Sequence, residues 1–295
     1  MKRSKITILL AIVLGMTFHS CLDLEPQDQL GGKNMWTSVN DYKQFANTFY
    51  SWTRDFSSVV YDGTHSDKRS DLITYQSYNE FSRGINSIPS SDANYTDNYK
   101  HIRRTNLLLQ NAEAYAKPED IKQYIGEAYF FRAYSYFDLL QLYGDVIITK
   151  KPLDITDPEM KVKRNDRSEV VDLIIDDLNH AVENLPAFKE LTTEEEGRIS
   201  KEGAQAFLSR VALYEGTWQK SRNGNQNTQR SANLLDIAAK AARTVIDAKY
   251  GYTFRLFGTD SETKILGDSA QKYMFILENE KSNPAGIKKL SLIHI

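Results

Sequence analysis

Residues 57–98 combine aromatic rings with side chains that can hydrogen-bond, which is the combination needed to hold a sugar ring. The sequence predicts a long polar loop here, and its aromatic residues do not follow a helical period. Flat rings can pack against the apolar faces of a pyranose, while carboxylates, amides and arginines can bind its hydroxyl groups. For each ring taken alone, packing in a core is the competing interpretation. The candidate ligand-binding residues are Tyr61, Asp67, Asp71, Tyr75, Tyr78, Asn79, Arg83 and Tyr95.

The same loop contains an acidic cluster formed by Asp62, Asp67 and Asp71. Carboxylate oxygens bind hard cations such as Ca²⁺, but the spacing of these residues is not that of an EF-hand loop. A solvated loop with side-chain-to-backbone turns is the favoured interpretation. We therefore predict neither a metal site nor a cofactor.

Motifs for catalysis are absent from the sequence. It contains no HExxH, no Gly-x-Ser-x-Gly and no glycine-rich phosphate loop. A glycosidase needs only two carboxylates, and 39 acidic residues can always supply such a pair. We expect a protein that is not an enzyme, and a lipid-anchored glycosidase stays open as an alternative.

Composition and charge exclude several classes of protein. The 295 residues are 41% hydrophobic and 26% charged, which is typical of a globular chain that can bury a substantial core. The net charge of −2 gives no strongly basic footprint, which argues against nucleic-acid binding. The mean hydropathy is −0.51 and only one apolar run occurs, so the sequence is not that of a polytopic membrane protein.

The N-terminus has the features of an export signal. Lys2, Arg3 and Lys5 precede an apolar run at 6–16 that is too short to span a bilayer. The only cysteine, Cys21, follows five residues later, and a lone thiol in an exported protein suggests modification. We predict a lipobox with acylation of Cys21; a free thiol after ordinary secretion is the alternative.

This interpretation divides the chain into three parts. Residues 1–20 are the predicted lipoprotein signal peptide, and residues 21–35 are an acidic, proline-containing tether. Residues 36–295 form the predicted helical domain. The mature protein is then a globular body held at a membrane surface by lipid.

The pattern of apolar residues predicts a mainly α-helical protein with little β-structure. Ser38 and Asp41 have the spacing of a capping box before the first helix. Apolar faces at helical spacing occur at 42–56, 99–109, 125–143, 171–185, 204–218 and 234–248. The predicted helix ends are Gly144, Pro186 and Gly216, and the predicted long loops are 57–98, 149–166, 187–198 and 219–232.

The helices also show traces of a repeat. Ile174, Leu178, Ala181 and Pro186 approximate the spacing of the second helix of a tetratricopeptide repeat. We therefore expect tetratricopeptide-like helix pairs joined by long loops.

Several conspicuous side chains inside these helices are expected to have structural roles. Arg132 is predicted to neutralise a carboxylate or to bind a carbonyl, and Trp52 is predicted to lie in the core. Inter-helix packing is expected for the tyrosine run Tyr129, Tyr134, Tyr136 and Tyr143.

Four strings in the same order resemble the SusD/RagB family of outer-membrane nutrient-uptake lipoproteins. They are CLDLEP at 21–26, YKHIRRTN at 99–106, EAYFFRAYSYFDLLQLYGD at 127–145 and RISKEGAQAFLSRVALYEG at 198–216. The resemblance implies a helical, tetratricopeptide-like fold and an extracellular lid over a TonB-dependent (SusC-like) barrel transporter. It also implies capture of oligosaccharides, or of peptides in some members, on an aromatic-rich surface and their delivery to the barrel. A purely structural adaptor is the remaining alternative.

The sequence departs from the family in two respects. Tyr95 stands where the family often has Trp in a Trp-x-x-x-Tyr-x-x-Ile segment. Family members are also considerably longer, so we expect this chain to be incomplete at its C-terminus. The resemblance places the mature protein on the extracellular face of the outer membrane.

Overall fold

The computed structural model describes residues 35–53, 84–85, 87–154, 156–195, 197–222 and 228–248. Six α-helices occur in these ranges: α1 (Val39–Asn47), α2 (Ala93–Glu113), α3 (Lys122–Tyr143), α4 (Arg167–Asn184), α5 (Lys201–Arg222) and α6 (Thr228–Asp247). Short 3₁₀ turns lie at Thr48–Trp52, Pro118–Ile121, Pro158–Lys161, Phe188–Glu190 and Thr193–Glu195. Within the described ranges the β-structure is limited to one isolated bridge between Val146 and Asn165. The prediction of a mainly α-helical protein is confirmed.

The first helix begins at the predicted capping box. The Asp41 amide donates to Ser38 Oγ over 3.3 Å, and the Ser38 amide donates to Asp41 Oδ2 over 2.8 Å. After Asn47 the chain continues as a 3₁₀ turn. The apolar residues that the sequence predicts on one helix therefore lie on two elements. This turn buries Phe49 and leaves Trp52 half-buried.

Helix α3 is the centre of the fold. It packs against α2 and α4, and α1 also lies against it. Four consecutive residues, 130–133, are buried, so the helix is covered on all sides. Gly144 ends it with a φ of 73°, a conformation that glycine adopts without strain, as the sequence predicts.

A buried ion pair joins α3 to α4. Arg132 donates from Nε and Nη2 to the two carboxylate oxygens of Asp177 over 2.8 and 2.6 Å. Its Nη1 donates to Asn106 Oδ1 on α2 over 2.8 Å. Burial raises the pKa of Asp177, although the bonds from Arg132 oppose the rise. The expected structural role of Arg132 is confirmed.

Two further buried pairs connect the later helices. Arg167 at the start of α4 binds Glu215 on α5, with Nη2 2.8 Å from Oε2, and its guanidinium lies 4.0 Å from the ring of Trp218. Arg198, just before α5, donates from Nε and Nη2 to Glu127 on α3, both over 2.7 Å. Successive helices are therefore tied by charge as well as by apolar packing.

The tyrosines of α3 pack between elements as predicted. Tyr136 is fully buried, and its hydroxyl accepts from the Thr149 amide over 2.7 Å. The Tyr143 hydroxyl donates to Asp92 Oδ2 over 2.6 Å, which ties the end of α3 to the N-cap of α2.

Some predicted boundaries are wrong. Helix α5 does not end at Gly216 but continues to Arg222, and α6 begins at Thr228, so most of the predicted loop 219–232 is helical. A Cβ added to Gly216 would lie 3.0 Å from the side chain of Leu235, so this glycine allows α6 to approach closely. The loop predicted to reach residue 98 ends earlier, because α2 begins at Ala93.

Among the described residues, no helix combines the length and the apolar character needed to cross a bilayer.

Candidate functional site

A cleft of about 170 Å³ opens where the 3₁₀ turn after α1 meets the first turns of α2 and the second half of α3. The 3₁₀ turn and α3 supply aromatic rings, and α2 supplies most of the polar groups. The lining residues are Trp52, Ala93, Asn94, Asp97, Asn98, His101, Tyr134 and Asp138. We refer to this feature as the Trp52 cleft.

The aromatic wall of the Trp52 cleft is held by other rings. Trp52 stacks on His101, with ring centroids 4.1 Å apart and an interplanar angle of 15°. Behind it, Phe49 lies 4.8 Å away and Phe131 meets the indole edge-on at 5.9 Å. Trp52 therefore packs against the core, as predicted, but its half-buried indole also lines the cleft.

The polar wall is a stripe along one face of α2. Asn98 donates from Nδ2 to the Asn94 carbonyl over 2.8 Å and to Asp138 Oδ2 over 2.9 Å. Asp97 accepts from Lys100 Nζ over 2.8 Å, and this bond lowers the pKa of Asp97. The stripe therefore presents amide and carboxylate groups that neighbouring side chains already orient.

His101 joins the two walls. Burial lowers its pKa to about 4; Arg104 and Lys100 also lower the pKa, while Asp97 opposes them. The imidazole is therefore neutral at physiological pH, with one nitrogen that can donate and one that can accept. A neutral ring stacked on Trp52 gives the cleft a flat wall without a positive charge at that point.

The chemistry of the Trp52 cleft suits a hydroxylated ring. An indole supplies an apolar face, and amides and carboxylates supply partners for hydroxyl groups. Within the described part of the chain, no group of three His, Cys, Asp or Glu residues is placed to hold a metal ion.

Of the ligand-binding residues predicted from sequence, the structure describes Tyr95 alone. Tyr95 lies in the first turn of α2, with its ring 4.8 Å from Tyr99 and 5.2 Å from Tyr143. It is half-buried in this tyrosine cluster, next to Asn94 of the cleft. The other predicted residues are outside the described ranges: Cys21, Tyr61, Asp67, Asp71, Tyr75, Tyr78, Asn79 and Arg83.

Sequence reasoning missed most of the residues that line the cleft. Asn94, Asp97, Asn98 and His101 follow the i, i+3, i+4, i+7 spacing of one helical face. A polar stripe of this kind was the available signal. From the sequence alone, this stripe cannot be distinguished from a solvated helix face. Only the structure shows that Trp52 lies beside it.

Comparison with known proteins gives the family. Residues 22–213 match a family model described as SusD-like, starch-binding and associating with the outer membrane. SusD-like protein P38 of Formosa agariphila is 28% identical over 233 residues, which cover 72% of this chain and 42% of that protein. SusD-like protein P2 of the same organism is 28% identical over 238 residues, covering 75% and 45%.

Solved structures share the fold. A SusD-like protein from Bacteroides fragilis is 26% identical with a TM-score of 0.60, and the match covers 81% of this chain and 43% of that one. A SusD-like carbohydrate-binding protein from the same species is 20% identical with a TM-score of 0.55, covering 72% and 41%. The chain thus spans less than half the length of these relatives. Since the family model matches well over half of its residues, the chain belongs to the SusD-like family.

Proposed function

We propose that this chain is part of an outer-membrane lipoprotein that captures oligosaccharides on the cell surface and passes them to a TonB-dependent barrel transporter. The observation that carries the binding role is the Trp52 cleft, in which a stacked indole faces amide and carboxylate groups. The family description, starch-binding and associating with the outer membrane, supports both the ligand class and the location.

The proposed anchor is a lipid on Cys21. A basic segment and a short apolar run precede this residue, and the acidic segment that follows gives the domain a tether. The delivery step follows from the resemblance to SusD/RagB proteins. A SusC-like barrel is the proposed partner in that step.

The predicted ligand-binding residues between 57 and 83 belong to the same proposal. In the sequence, Trp52 precedes that segment by five residues and Ala93 follows it by ten, and both line the cleft. We propose that Tyr61, Tyr75 and Tyr78 add aromatic contacts to the ligand. Asp67, Asp71, Asn79 and Arg83 are the proposed partners for its hydroxyl groups.

The binding role can be tested on the chain without its signal peptide, with Cys21→Ser to prevent acylation. Titration calorimetry against malto-, laminari- and xylogluco-oligosaccharides should find at least one that binds. Trp52→Ala should weaken that binding about tenfold or more, equivalent to about 1.4 kcal/mol. Trp218→Ala is the matched control, because Trp218 is also half-buried and stacks on Arg167, away from the cleft.

Two results would contradict the proposal. Binding of none of these sugars by a folded protein would remove the ligand class. Release of reducing ends from them by the pure protein would establish a glycosidase instead.

A further inference from the structure

A second open surface lies between α4 and α6, which flank α5. This groove encloses about 590 Å³ and is lined by residues on one face of each helix. From α4 come Asp172, Ile175, Asp176 and Asn179, and from α6 come Gln229, Arg230, Asn233, Leu234 and Ile237. We refer to it as the α4–α6 groove.

The groove has an aliphatic floor and polar rims. Ile175, Leu234 and Ile237 supply the floor. At the end where both helices begin, Arg230 crosses from α6 to α4, donating to the Ser168 carbonyl over 3.0 Å and to Asp172 Oδ1 over 2.8 Å. None of the described residues that line the groove is aromatic, so the groove lacks the flat wall that the Trp52 cleft offers to a sugar.

The rim amides are suited to a peptide backbone. Asn179 on α4 and Gln229 and Asn233 on α6 each carry two donors and an acceptor, which match the N–H and C=O groups of an extended chain. The lining of α4 runs from residue 172 to 179, or about 10 Å at the rise of an α-helix. That length accommodates about three to four extended residues.

The charge of α4 selects the kind of peptide. All four of its solvent-facing carboxylates, Glu169, Asp172, Asp176 and Glu183, are exposed, whereas its one arginine, Arg167, is buried against Glu215. At the groove, Asp172 is paired with Arg230, whereas Asp176 has a side chain that is 60% exposed and is paired with neither arginine nor lysine among the described residues. The exposed carboxylate of Asp176 above an aliphatic floor complements a segment with a basic side chain beside aliphatic ones.

We infer that the α4–α6 groove binds an extended segment of a partner polypeptide that carries lysine or arginine beside aliphatic residues. A basic group lies over Asp176, the aliphatic groups contact Ile175, Leu234 and Ile237, and the rim amides bind the backbone. This site is separate from the Trp52 cleft and takes a different class of ligand. Its existence does not depend on the proposed capture of sugars.

The inference can be tested by NMR on the chain without its signal peptide. The probe is the capped tetrapeptide acetyl-Leu-Lys-Leu-Lys-amide, and the comparison peptide has glutamate in place of lysine. We expect the lysine peptide to shift the side-chain amide signals of Asn179, Gln229 and Asn233 in a saturable way. The glutamate peptide should leave these signals unchanged, and raising the salt concentration should weaken the binding.

Variants locate the binding surface. Asp176→Asn should weaken binding of the lysine peptide about fivefold. Asp236→Asn is the matched control, because Asp236 is an exposed aspartate of α6 that pairs with Lys240 outside the groove. Both variants change solvent-exposed groups, and circular dichroism checks that they fold.

Three outcomes would overturn the inference. One is the absence of saturable shifts at the three amides, and another is equal binding of the lysine and glutamate peptides. The third is movement of the groove signals with protein concentration alone, accompanied by a dimer mass in light scattering. In that case the groove is a contact between two copies of the chain.

Discussion

The Trp52 cleft and the α4–α6 groove are built from similar polar side chains, but their walls differ. The cleft is lined by asparagine and aspartate side chains and by the His101 imidazole, beside the Trp52 indole. The groove is lined by asparagine, glutamine and aspartate side chains above isoleucine and leucine. The cleft wall is fixed by ring-to-ring contacts with Phe49 and Phe131. Helix α4, which forms one wall of the groove, is held to α3 and α5 by buried ion pairs.

This difference shows how one helical scaffold can present two kinds of surface. Where the core is aromatic, a ring at its edge becomes a flat wall of the kind that we propose for sugar binding. Where the helices are held by Arg–carboxylate pairs and aliphatic contacts, the exposed face offers charge and amides without rings.

The largest effect is expected from the buried Arg132–Asp177 ion pair, which joins α3 to α4. Asp177→Ala leaves Arg132 buried without its carboxylate, and this should lower the free energy of unfolding by about 3–5 kcal/mol. Urea denaturation measures the change. Asp236→Ala, in an exposed pair with Lys240, should cost at most about 1 kcal/mol.

A double variant separates the charge from the packing. Arg132→Met with Asp177→Leu should lose clearly less stability than Asp177→Ala alone, because no charge is then left buried. An equal loss in the single and the double variant would mean that the pair does not support α4 in the way proposed.

The next effect concerns the contact between α3 and the end of α4. A Cβ added to Gly126 would lie 2.9 Å from Leu185 Cγ and 3.0 Å from the Leu185 backbone nitrogen. Gly126→Ala should therefore destabilise the protein by about 1–3 kcal/mol, despite the better helix propensity of alanine. At Gly203 the close atom is the flexible end of the Ile199 side chain, so thermal unfolding should show a smaller loss for Gly203→Ala.

A smaller effect is expected at the helix that leads into the Trp52 cleft. Ser38→Ala removes the side-chain acceptor of the capping box and should cost about 1 kcal/mol. Ser51→Ala, at an exposed hydroxyl of the following 3₁₀ turn, should change stability by less than about 0.5 kcal/mol. Urea denaturation of the two variants side by side gives the comparison, and equal losses would show that the capping box does not stabilise α1.

The effect that is smallest at neutral pH, and that grows as the pH is lowered, is a pH dependence from the cleft. Because the pKa of His101 is about 4 in the folded protein and 6.5 when unperturbed, the unfolded chain binds a proton that the folded one does not between these values. Stability should therefore fall as the pH is lowered from 6.5 towards 4. His101→Phe keeps a ring beside Trp52 and should show a shallower decline in melting temperature; parallel profiles would contradict the assignment.

Local sequence patterns predicted most of the scaffold. Apolar spacing located each of the six helices in the described ranges, Ser38 and Asp41 marked the start of α1, and Gly144 marked the end of α3. Gly216 misled the prediction because a glycine can end a helix or let another helix approach, and only the position of Leu235 distinguishes the two.

The cleft was harder to predict because its parts are distant in sequence. Trp52 has the spacing of a core residue, and its contact with His101 on α2 depends on how the 3₁₀ turn packs. The polar stripe from Asn94 to His101 has the same pattern as a solvated face. Of the residues chosen for ligand binding, Tyr95 lies next to the stripe, and the remainder belong to a segment outside the described ranges.

The most direct test of the account is to map where an oligosaccharide binds. With the best ligand from the calorimetric panel, NMR should show saturable shifts of the Asn94 and Asn98 side-chain amides and of the Trp52 indole. The amides of Asn179, Gln229 and Asn233 should stay in place. Shifts in the α4–α6 groove with an unchanged Trp52 cleft would contradict the account.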